Sequence, residues 1–532
     1  MEKITMTKWN EHGGISLARA VEAAYARGED DYHMQPLVAL DAAGAPVGKV
    51  QDGDTVVFCC RRGEREIELT EMFTEKDFSH VERVWRKDLT FILMTLYHEK
   101  FQHLPVAFAP EQLQHTLAQT VSEAGKTQFH CAESEKFAHI TFFLNGGNNQ
   151  PFPGEDDLRI PSPRGIPFEE KPELSLYEVA EATVNALGKY DLIAVNFANG
   201  DVIGHTANNQ AKIEAAGHVS RVVSDVAARA AAAGYAVLIT ADHGNLERMI
   251  TPKGKPDVAH TCNPVPCVLI DPAAKAPAVL REDCCLASVS PTILQLMGIP
   301  APADMTAPSL LTGAVEGEPR RVMLIVLDGW GVGKNDDTNP IHLGDTEPWA
   351  SLMAAHPHTL LHAHGLHVGL GAKKAGNSEA GHMNLGAGRI VPQDDQRLEK
   401  AMQDGSYERN KVFLNAIEDT RRRGKALHLL SYLTHNSSHG SIDYAVKLCA
   451  MAKDLPEVYL HVILDGRSTE NGSAPQLLHE LEEQLDKIGT GLIVDCIGRG
   501  YVLERDLNYP KVKRGYDAMV EGVGTPYTLG DS

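Results

Sequence analysis

Acidic and histidine side chains occur in this sequence at spacings that suit metal binding. Asp201 and His205 lie four residues apart, so they share one face if the chain there is helical. The candidate ligands are Asp201, His205, Asp242, His243, His260 and Asp328. Carboxylates and imidazoles without cysteine favour manganese, magnesium, zinc or iron, and six ligands are enough for two ions. Singly, such an Asp is usually a turn former and such a His a structural residue, so only their joint placement favours a metal centre.

A serine between glycines is the candidate nucleophile. Ser378 lies in the segment Ala-Gly-Asn-Ser-Glu-Ala-Gly-His, which ends at His382. Glycines allow the backbone to approach a phosphate, and metal coordination can lower the pKa of a hydroxyl enough to make it attack. The other interpretation is that Ser378 caps a helix, and the local sequence alone favours that cap.

Several basic residues adjoin glycine turns or predicted strands. They are Arg62, Arg65, Lys136, Arg467, Arg499 and Arg505. Guanidinium groups bind phosphate and carboxylate oxygens in pairs, so a phosphorylated acid would contact several of them at once. Taken one at a time, each is more often a solvated surface charge.

The elements that must position these side chains are short apolar strands alternating with alanine-rich helices, which predicts an α/β fold around parallel sheets. The clearest predicted strands are His139 to Leu144, Leu192 to Phe197, Ala236 to Thr240 and Val322 to Leu327. Each ends in a turn with polar residues. Because buried parallel strands bring such turns to one edge of a sheet, a single site is expected there.

Composition narrows the classes of partner. The 532 residues carry 71 acids and 50 bases, a net charge of -21 that argues against nucleic-acid or anionic-membrane binding. No apolar run approaches the ~18 residues of a membrane span, and the first fourteen residues lack the apolar core of a signal peptide. We therefore expect a cytoplasmic protein. Nine cysteines without CxxC spacing predict reduced thiols.

Composition shifts also predict the domain organisation. The polar segment 312–321 is expected to be an exposed linker. Polar stretches near residues 107–114 and 388–395 predict two crossings between domains. Residues 113–394 would form the larger domain, and 1–112 together with 395–532 the smaller one.

Five motifs together resemble the cofactor-independent phosphoglycerate mutases of the alkaline phosphatase superfamily. They are Leu-Asp328-Gly-Trp, Gly-Asn-Ser378-Glu-Ala-Gly-His, Gly-Asp201-Val-Ile-Gly-His205, Ala-Asp242-His243-Gly-Asn and Ala-His260-Thr. The segment from Glu135-Lys136 to Asn-Gly-Gly adds to the likeness, which covers nearly the whole chain.

The order of these motifs differs from the family's order. In the family the Asp-Gly-Trp segment opens the chain, whereas here Asp328 follows His260 across the segment 312–321. The resemblance therefore implies a circular permutation with new ends inside the smaller domain, a change that folds tolerate when their termini lie close together.

The resemblance implies a site for two manganese-like ions, with Mg²⁺ or Co²⁺ as alternatives, and no 2,3-bisphosphoglycerate. It assigns one ion to Asp201, His205 and His260, and the other to Asp328, Ser378, Asp242 and His243. It further implies that substrate or phosphate contacts Arg62, Arg65, Lys136, His439, Arg467, Ser468, Arg499 and Arg505. Lys136 would also assist catalysis at Ser378, and the protein would be a monomer.

Three segments of the smaller domain depart from the family pattern. His435-Asn436-Ser437 replaces Asp-Gly-Gly, Arg61 to Arg65 replaces Phe-Arg-Pro-Asp-Arg, and Ser468 replaces the last Asp of Asp-Gly-Arg-Asp. Ser468 lacks the carboxylate that would accept a hydrogen bond from a substrate hydroxyl.

The resemblance implies interconversion of 3-phosphoglycerate and 2-phosphoglycerate through a phosphoserine. Because the departures concern substrate recognition, a metal-dependent phosphatase, or a mutase of another phosphorylated small molecule, is the alternative enzyme. A catalytically inactive binding protein is the alternative from another class.

Overall fold

The computed structural model describes residues 11–61, 65–110, 112–435, 437, 439–504 and 506–530. The chain forms two compact units. Unit 1 comprises Met1–Pro110 and Arg397–Ser532, and unit 2 comprises Glu111–Gln396. The boundaries between the units lie at 110/111 and 396/397, and the boundaries predicted from the sequence lie at 112/113 and 394/395.

Strands and helices alternate along the described residues. The strands β1 to β16 are Leu37–Leu40, Thr55–Phe58, Thr90–Thr95, Val106–Phe108, Gln128–Glu133, Glu155–Ile160, Leu192–Phe197, Tyr235–Thr240, Val265–Ile270, Cys284–Cys285, Arg321–Leu327, His358–His362, Leu427–Leu433, Val458–Leu464, Leu492–Gly498 and Thr525–Thr528. The α-helices α1 to α16 are Gly14–Ala26, Ile67–Thr74, Leu117–Glu123, Leu176–Ala186, Asn199–Gly204, Asn209–Ala232, Val289–Met297, Pro340–Leu343, Glu347–Ala355, Ser378–Ala387, Asp394–Asp404, Lys411–Arg423, Ile442–Met451, Ala474–Ile488, Arg499–Val502 and Tyr509–Glu521.

Unit 2 is built on an eight-stranded sheet in the order β10-β12-β9-β8-β11-β7-β5-β6. The run β8-β11-β7-β5-β6 is parallel throughout, and β9 pairs antiparallel with both of its neighbours. Strand β11 lies between β8 and β7 in this run, and its residues from Val322 to Leu327 are buried. Such continuous apolar runs are typical of parallel strands covered on both faces.

Unit 1 has its own eight-stranded sheet in the order β16-β1-β15-β14-β13-β2-β3-β4. Among the strand pairs of this sheet in the described residues, only β1–β15 is antiparallel. The predicted α/β class with two mostly parallel sheets is therefore confirmed.

A buried polar chain crosses the sheet of unit 1. His428 Nε2 lies 3.1 Å from Asp54 Oδ2, His428 Nδ1 lies 2.9 Å from His461 Nε2, and His461 Nδ1 lies 2.6 Å from Asp495 Oδ2. The four residues belong to, or immediately precede, the neighbouring strands β2, β13, β14 and β15. These hydrogen bonds replace the water that the four polar side chains lose on burial. The side chains can therefore link the four strands at little cost in desolvation free energy.

Three of the four predicted strands are confirmed, as β7, β8 and β11, but the prediction for His139 to Leu144 is wrong. Residues His139–Phe143 form a π-helical turn, in which the Leu144 amide donates to the His139 carbonyl at 3.1 Å. A short apolar run cannot be assigned by periodicity alone. Strand β5, which precedes this run, already has β6 and β7 on its two sides, so the run cannot pair with β5 itself.

The segment between Leu311 and β11 is mostly exposed, as the linker prediction requires, although Arg320 is buried against Asp271. All nine cysteines are free thiols, in agreement with the prediction. Among the described residues, no helix is long and apolar enough to cross a membrane.

Candidate active site and metal centre

The acidic residues of unit 2 lie at one edge of its sheet. Asp328 follows β11 directly, Asp242 follows β8, and Asp201 lies in α5 just after β7. Lys136 follows β5 in the same way. Because β8, β11, β7 and β5 are adjacent and parallel, their carboxyl ends bring these four side chains together.

Close backbone approach at this edge requires glycine. Gly329 has φ +73°, and a Cβ there would lie 2.6 Å from the Asp201 amide nitrogen. A Cβ at Gly381 would lie 2.6 Å from the Asp242 carbonyl oxygen. These two positions let α5 and α10 approach the strand ends, so the glycines of the Asp-Gly-Trp and Ser-Glu-Ala-Gly motifs have a steric role.

Ser378 is the first residue of α10 and is not its cap. The cap is Asn377, whose side chain accepts a hydrogen bond from the Ala380 amide at 2.8 Å. The Ser378 hydroxyl instead points into the site. Its Oγ lies 2.6 Å from Lys136 Nζ, 3.0 Å from His243 Nε2 and 3.1 Å from Asp328 Oδ1.

Lys136 is a buried cation between two carboxylates. Its Nζ lies 2.6 Å from Asp201 Oδ2 and 2.7 Å from Asp328 Oδ1. Burial disfavours the ammonium, but the two carboxylates outweigh this and raise the pKa of Lys136 above its ordinary value. Burial likewise opposes the charge of Asp328, and Lys136 reverses the effect and holds the pKa of Asp328 below its ordinary value. The hydroxyl of Ser378 is therefore held beside a permanent positive charge.

Three histidines turn the same ring nitrogen toward Asp201. The Nδ1 atoms of His205, His243 and His260 lie 2.8, 3.2 and 2.7 Å from backbone carbonyl oxygens. A carbonyl only accepts, so Nδ1 carries the proton and Nε2 presents a lone pair. Such a bond to the second nitrogen is the usual support of a metal-binding imidazole.

The lone pairs of this site fit a cation. The Nε2 atoms of His205 and His260 lie 3.0 Å apart, and Asp201 Oδ1 lies 3.2 and 2.9 Å from them. Facing lone pairs repel unless a cation or proton lies between them. Asp201, His205 and His260 thus form one group whose ligand atoms converge.

Two further convergent groups lie next to the first. Asp242, Asp328 and His382 form one set of converging ligand atoms, and Asp201, His243 and Asp328 form another. Asp242 Oδ2 is fully buried and accepts no hydrogen bond, as expected for an oxygen that coordinates a cation. His243 is buried, which disfavours its charge, but Asp242 and then Asp328 raise its pKa to about 9. A proton and a cation would therefore compete for the same Nε2 lone pair of His243.

Two asparagines and one histidine of the site were not predicted from the sequence. Asn196 donates to Asp328 Oδ2 at 2.7 Å, and Asn245 donates to Asp201 Oδ1 at 3.1 Å. His382 lies 3.4 Å from Asp242 Oδ2 through Nδ1. A signal for two of them was available, since Asn196 interrupts the apolar strand β7 and His382 lies four residues after Ser378.

A cavity of about 310 Å³ opens beside the carboxylates and Lys136. Its wall consists of Glu135, Lys136, Phe168, Asp201, Val202 and His205. Charged and apolar groups therefore both face a space in which a small molecule can reach the site.

The basic residues predicted in the other unit gather at one edge of its own sheet. Arg65, His439, Arg467 with Ser468, and Arg499 follow the strands β2, β13, β14 and β15. These four strands are adjacent and parallel, so their carboxyl ends share an edge. Arg62 and Arg505, which the sequence also predicts for this set, lie outside the described residues.

Two buried carboxylates organise this edge of unit 1. Asp465 pairs with Arg499 and accepts the backbone amides of Arg467, Ser468 and Thr469, the last at 3.1 Å. Glu66, which was not predicted from the sequence, accepts from the Tyr432 hydroxyl and lies 2.9 Å from His439 Nδ1. The remaining predicted cation, Arg65, donates to the Leu503 carbonyl at 3.2 Å.

Comparison with protein families gives two matches. Residues 26–301 match the model described as the metalloenzyme superfamily, and residues 398–529 match the model described as BPG-independent PGAM N-terminus. The first match covers more than half of the chain. Together the two matches confirm the resemblance found in the motifs.

Curated relatives carry a common name. The 2,3-bisphosphoglycerate-independent phosphoglycerate mutase of Chloroflexus aggregans is 42% identical over 322 residues, which are 56% of this chain and 59% of the relative. The protein of the same name from Moorella thermoacetica is 42% identical over 301 residues, 56% of this chain and 58% of the relative. The chain thus spans less than two thirds of the length of the curated relatives it matches.

A solved structure is also similar. The phosphoglycerate mutase of Leishmania mexicana, crystallised at low cobalt concentration, is 30% identical with a TM-score of 0.41. The match covers 51% of this chain and 53% of that one.

The geometry predicts that Asp328 supports cation binding. Asp328→Asn removes a negative charge that belongs to two of the groups of candidate ligands. Loss of a residue that only hydrogen-bonds to a metal ligand lowers metal affinity about 10–100-fold. We therefore expect loss of the Asp328 charge to lower the affinity for Mn²⁺ by more than about 100-fold. Isothermal titration of the metal-stripped chain measures this. Asp345→Asn, which changes an exposed carboxylate paired with Arg221, is the matched control. Equal affinity of the Asp328 variant and the wild type would refute the assignment.

Proposed function

The chain belongs to the metalloenzyme superfamily, and from this premise we propose that it is a phosphoglycerate mutase that interconverts 3-phosphoglycerate and 2-phosphoglycerate without 2,3-bisphosphoglycerate. The observation that carries the proposal is the environment of Ser378, whose Oγ lies within 3.1 Å of Lys136, His243 and Asp328. The names of the curated relatives favour the same activity.

In the proposed reaction, Ser378 Oγ forms a bond to the phosphorus of the substrate while the bond from phosphorus to the glycerate oxygen breaks. The phosphoserine then returns the group to the other hydroxyl of the glycerate. Lys136 stays protonated and offsets negative charge that builds up beside Oγ. Asn196 and Asn245 hold the carboxylates of Asp328 and Asp201 in place.

The donor set fits two divalent cations. We propose Asp201, His205 and His260 for one, and Asp328, Ser378, Asp242 and His243 for the other, with Mn²⁺ as the expected metal and Mg²⁺ or Co²⁺ as alternatives. When bound, such cations lower the pKa of a coordinated hydroxyl and stabilise charge on a phosphoryl group.

We propose that the basic edge of unit 1 recognises the substrate. His439, Arg467, Arg499 and Arg65 would bind carboxylate or phosphate oxygens, together with Ser468 and with Arg62 and Arg505. Support comes from Asp465, which binds the guanidinium of Arg499 and three backbone amides of the 467–469 turn. A turn held in this way loses little conformational freedom when a ligand binds.

The product distribution separates this function from that of a phosphatase. Incubation with 3-phosphoglycerate and Mn²⁺ is expected to give 2-phosphoglycerate with little free phosphate, because return of the group to glycerate must outpace its transfer to water. Phosphorus nuclear magnetic resonance distinguishes 3-phosphoglycerate, 2-phosphoglycerate and free phosphate. Release of phosphate without 2-phosphoglycerate would reject the mutase and favour the phosphatase.

Loss of the serine hydroxyl removes the only proposed acceptor of the phosphoryl group. Ser378→Ala is expected to lower turnover by at least about 10³-fold, in line with other nucleophile deletions. The circular dichroism spectrum should change little, since the hydroxyl is small and Asn377 rather than Ser378 caps α10. Mn²⁺ should still bind to the remaining ligands, with a lower affinity for the ion that Ser378 is proposed to contact. Turnover near the wild-type value would exclude a covalent intermediate on Ser378.

We also propose that the chain is circularly permuted relative to its relatives. The match described as an N-terminus lies at residues 398–529, after the superfamily match at 26–301. Within unit 1 the Gly530 amide donates to Glu11 Oε1 at 2.7 Å, so these two positions are neighbours. A short link could therefore join them without distortion of the unit.

A rearranged chain tests the permutation. Residue 532 is linked to residue 1 by a short glycine-serine segment, and the chain is opened between Gly313 and Ala314. Because this loop is exposed, we expect a folded protein with turnover within about tenfold of the original. The control opens the chain between Leu324 and Ile325 in buried β11, where a break should prevent folding. Equal failure of both chains would count against the permutation.

A further inference from the structure

A second group of potential ligands lies in unit 2 away from the candidate active site. His130 is in the middle of β5 and is paired in register with Asp157 of β6, and Glu155 lies two residues earlier in β6. His130 Nδ1 is 3.2 Å from Glu155 Oε1 and 3.9 Å from Asp157 Oδ1. Ser378 and Lys136 lie beyond the carboxyl end of β5, so this group is separate from theirs.

The imidazole of His130 aims a lone pair at the two carboxylates. Its Nε2 lies 3.2 Å from the amide oxygen of Gln128, whose own nitrogen donates to the Ala118 carbonyl at 2.8 Å. An amide oxygen only accepts, so Nε2 carries the proton and Nδ1 does not. His130 is fully buried, and its Nδ1 makes no hydrogen bond.

One oxygen of the Asp157 carboxylate likewise lacks a hydrogen-bond partner. Asp157 Oδ1 is buried and also makes no hydrogen bond, although the side chain of Asp157 is 17% exposed. Among the described residues, no Lys or Arg pairs with Asp157 or Glu155. A buried carboxylate and a partly exposed one that face a lone pair without a basic partner are costly unless a cation or a proton joins them.

The pKa values of His130, Asp157 and Glu155 are shifted in the direction that burial favours, toward the neutral form of each group. Burial lowers the pKa of His130 to about 4, so the ring is neutral, the form that ligates metals. Burial also raises the pKa of Asp157 to about 6 and raises that of Glu155. The spacing of 3.2 and 3.9 Å is close to the roughly 3.4 Å between ligand atoms of a tetrahedral site with bonds of about 2.1 Å.

We propose that His130 Nδ1, Glu155 and Asp157 bind a divalent transition-metal cation that stabilises the edge of the unit 2 sheet. One imidazole with two carboxylates is a donor set that suits Zn²⁺ or Mn²⁺. Strand β6 is the edge strand, and the ion would join it to β5. Glu155 also accepts from Asn145 at 2.6 Å and from the Phe152 amide at 2.9 Å, so the loop before β6 is held by the same carboxylate.

Metal counting tests this site independently of the proposed mutase activity. The full chain is stripped with a chelator, dialysed against Zn²⁺, desalted, and analysed by mass spectrometry for zinc per chain. His130→Leu and Glu155→Gln are each expected to carry one zinc fewer than the wild type. The exposed His115, which pairs with Asp304, provides the matched control His115→Leu, which should keep the wild-type count.

The same comparison in an Asp328→Asn background separates the two sites. The difference of one zinc should persist there, whether or not the active-site assignment is right. Zn²⁺ should also raise the thermal midpoint of the wild type more than that of Glu155→Gln, a near-isosteric change that keeps the protein folded if His130→Leu does not. Equal zinc counts in the wild type and Glu155→Gln would overturn the proposal and leave a shared proton as the link between the carboxylates.

Discussion

The candidate site depends on the compensation of buried negative charge. Asp201, Asp242 and Asp328 are all buried at one sheet edge, and within the described residues Lys136 is the one lysine or arginine that pairs with them. Burial of a carboxylate costs several kcal/mol even after relaxation. Lys136 offsets part of that cost. Cations bound by the imidazoles and by the Asp242 oxygen that accepts no hydrogen bond would offset the rest. A serine hydroxyl held in such surroundings has positive charge beside it before any substrate arrives.

The sheet supplies the rigidity that this arrangement needs. The three carboxylates follow three adjacent strands of the buried parallel run, and two asparagines hold two of them by direct hydrogen bonds. The histidines are fixed in turn by backbone carbonyls, so that their free nitrogens converge. Buried carboxylates also organise the sheet edge of unit 1, where Asp465 binds the guanidinium of Arg499 and backbone amides, and Glu66 contacts the His439 imidazole.

Local sequence predicted the central strands of unit 2 correctly and failed for one run of similar length. The apolar runs of β7, β8 and β11 were predictable because central parallel strands need continuous apolar residues. The run from His139 was not, because a six-residue, mostly apolar segment serves a π-helical turn as well as a strand. Ser378 shows the same limit, since its neighbours suggested a helix cap while the cap proved to be Asn377.

The sequence by itself determined the α/β class, the six metal-ligand candidates and the nucleophile candidate, because residue type and spacing along one strand or turn are local properties. Only the tertiary structure decided which of them meet: that Lys136 lies beside Ser378 rather than in solvent, and that Asn196, Asn245 and His382 join the site. It also decided that His130, Glu155 and Asp157 face one another. These contacts join residues from different strands and helices, and their positions follow from strand order and burial, which no local pattern contains.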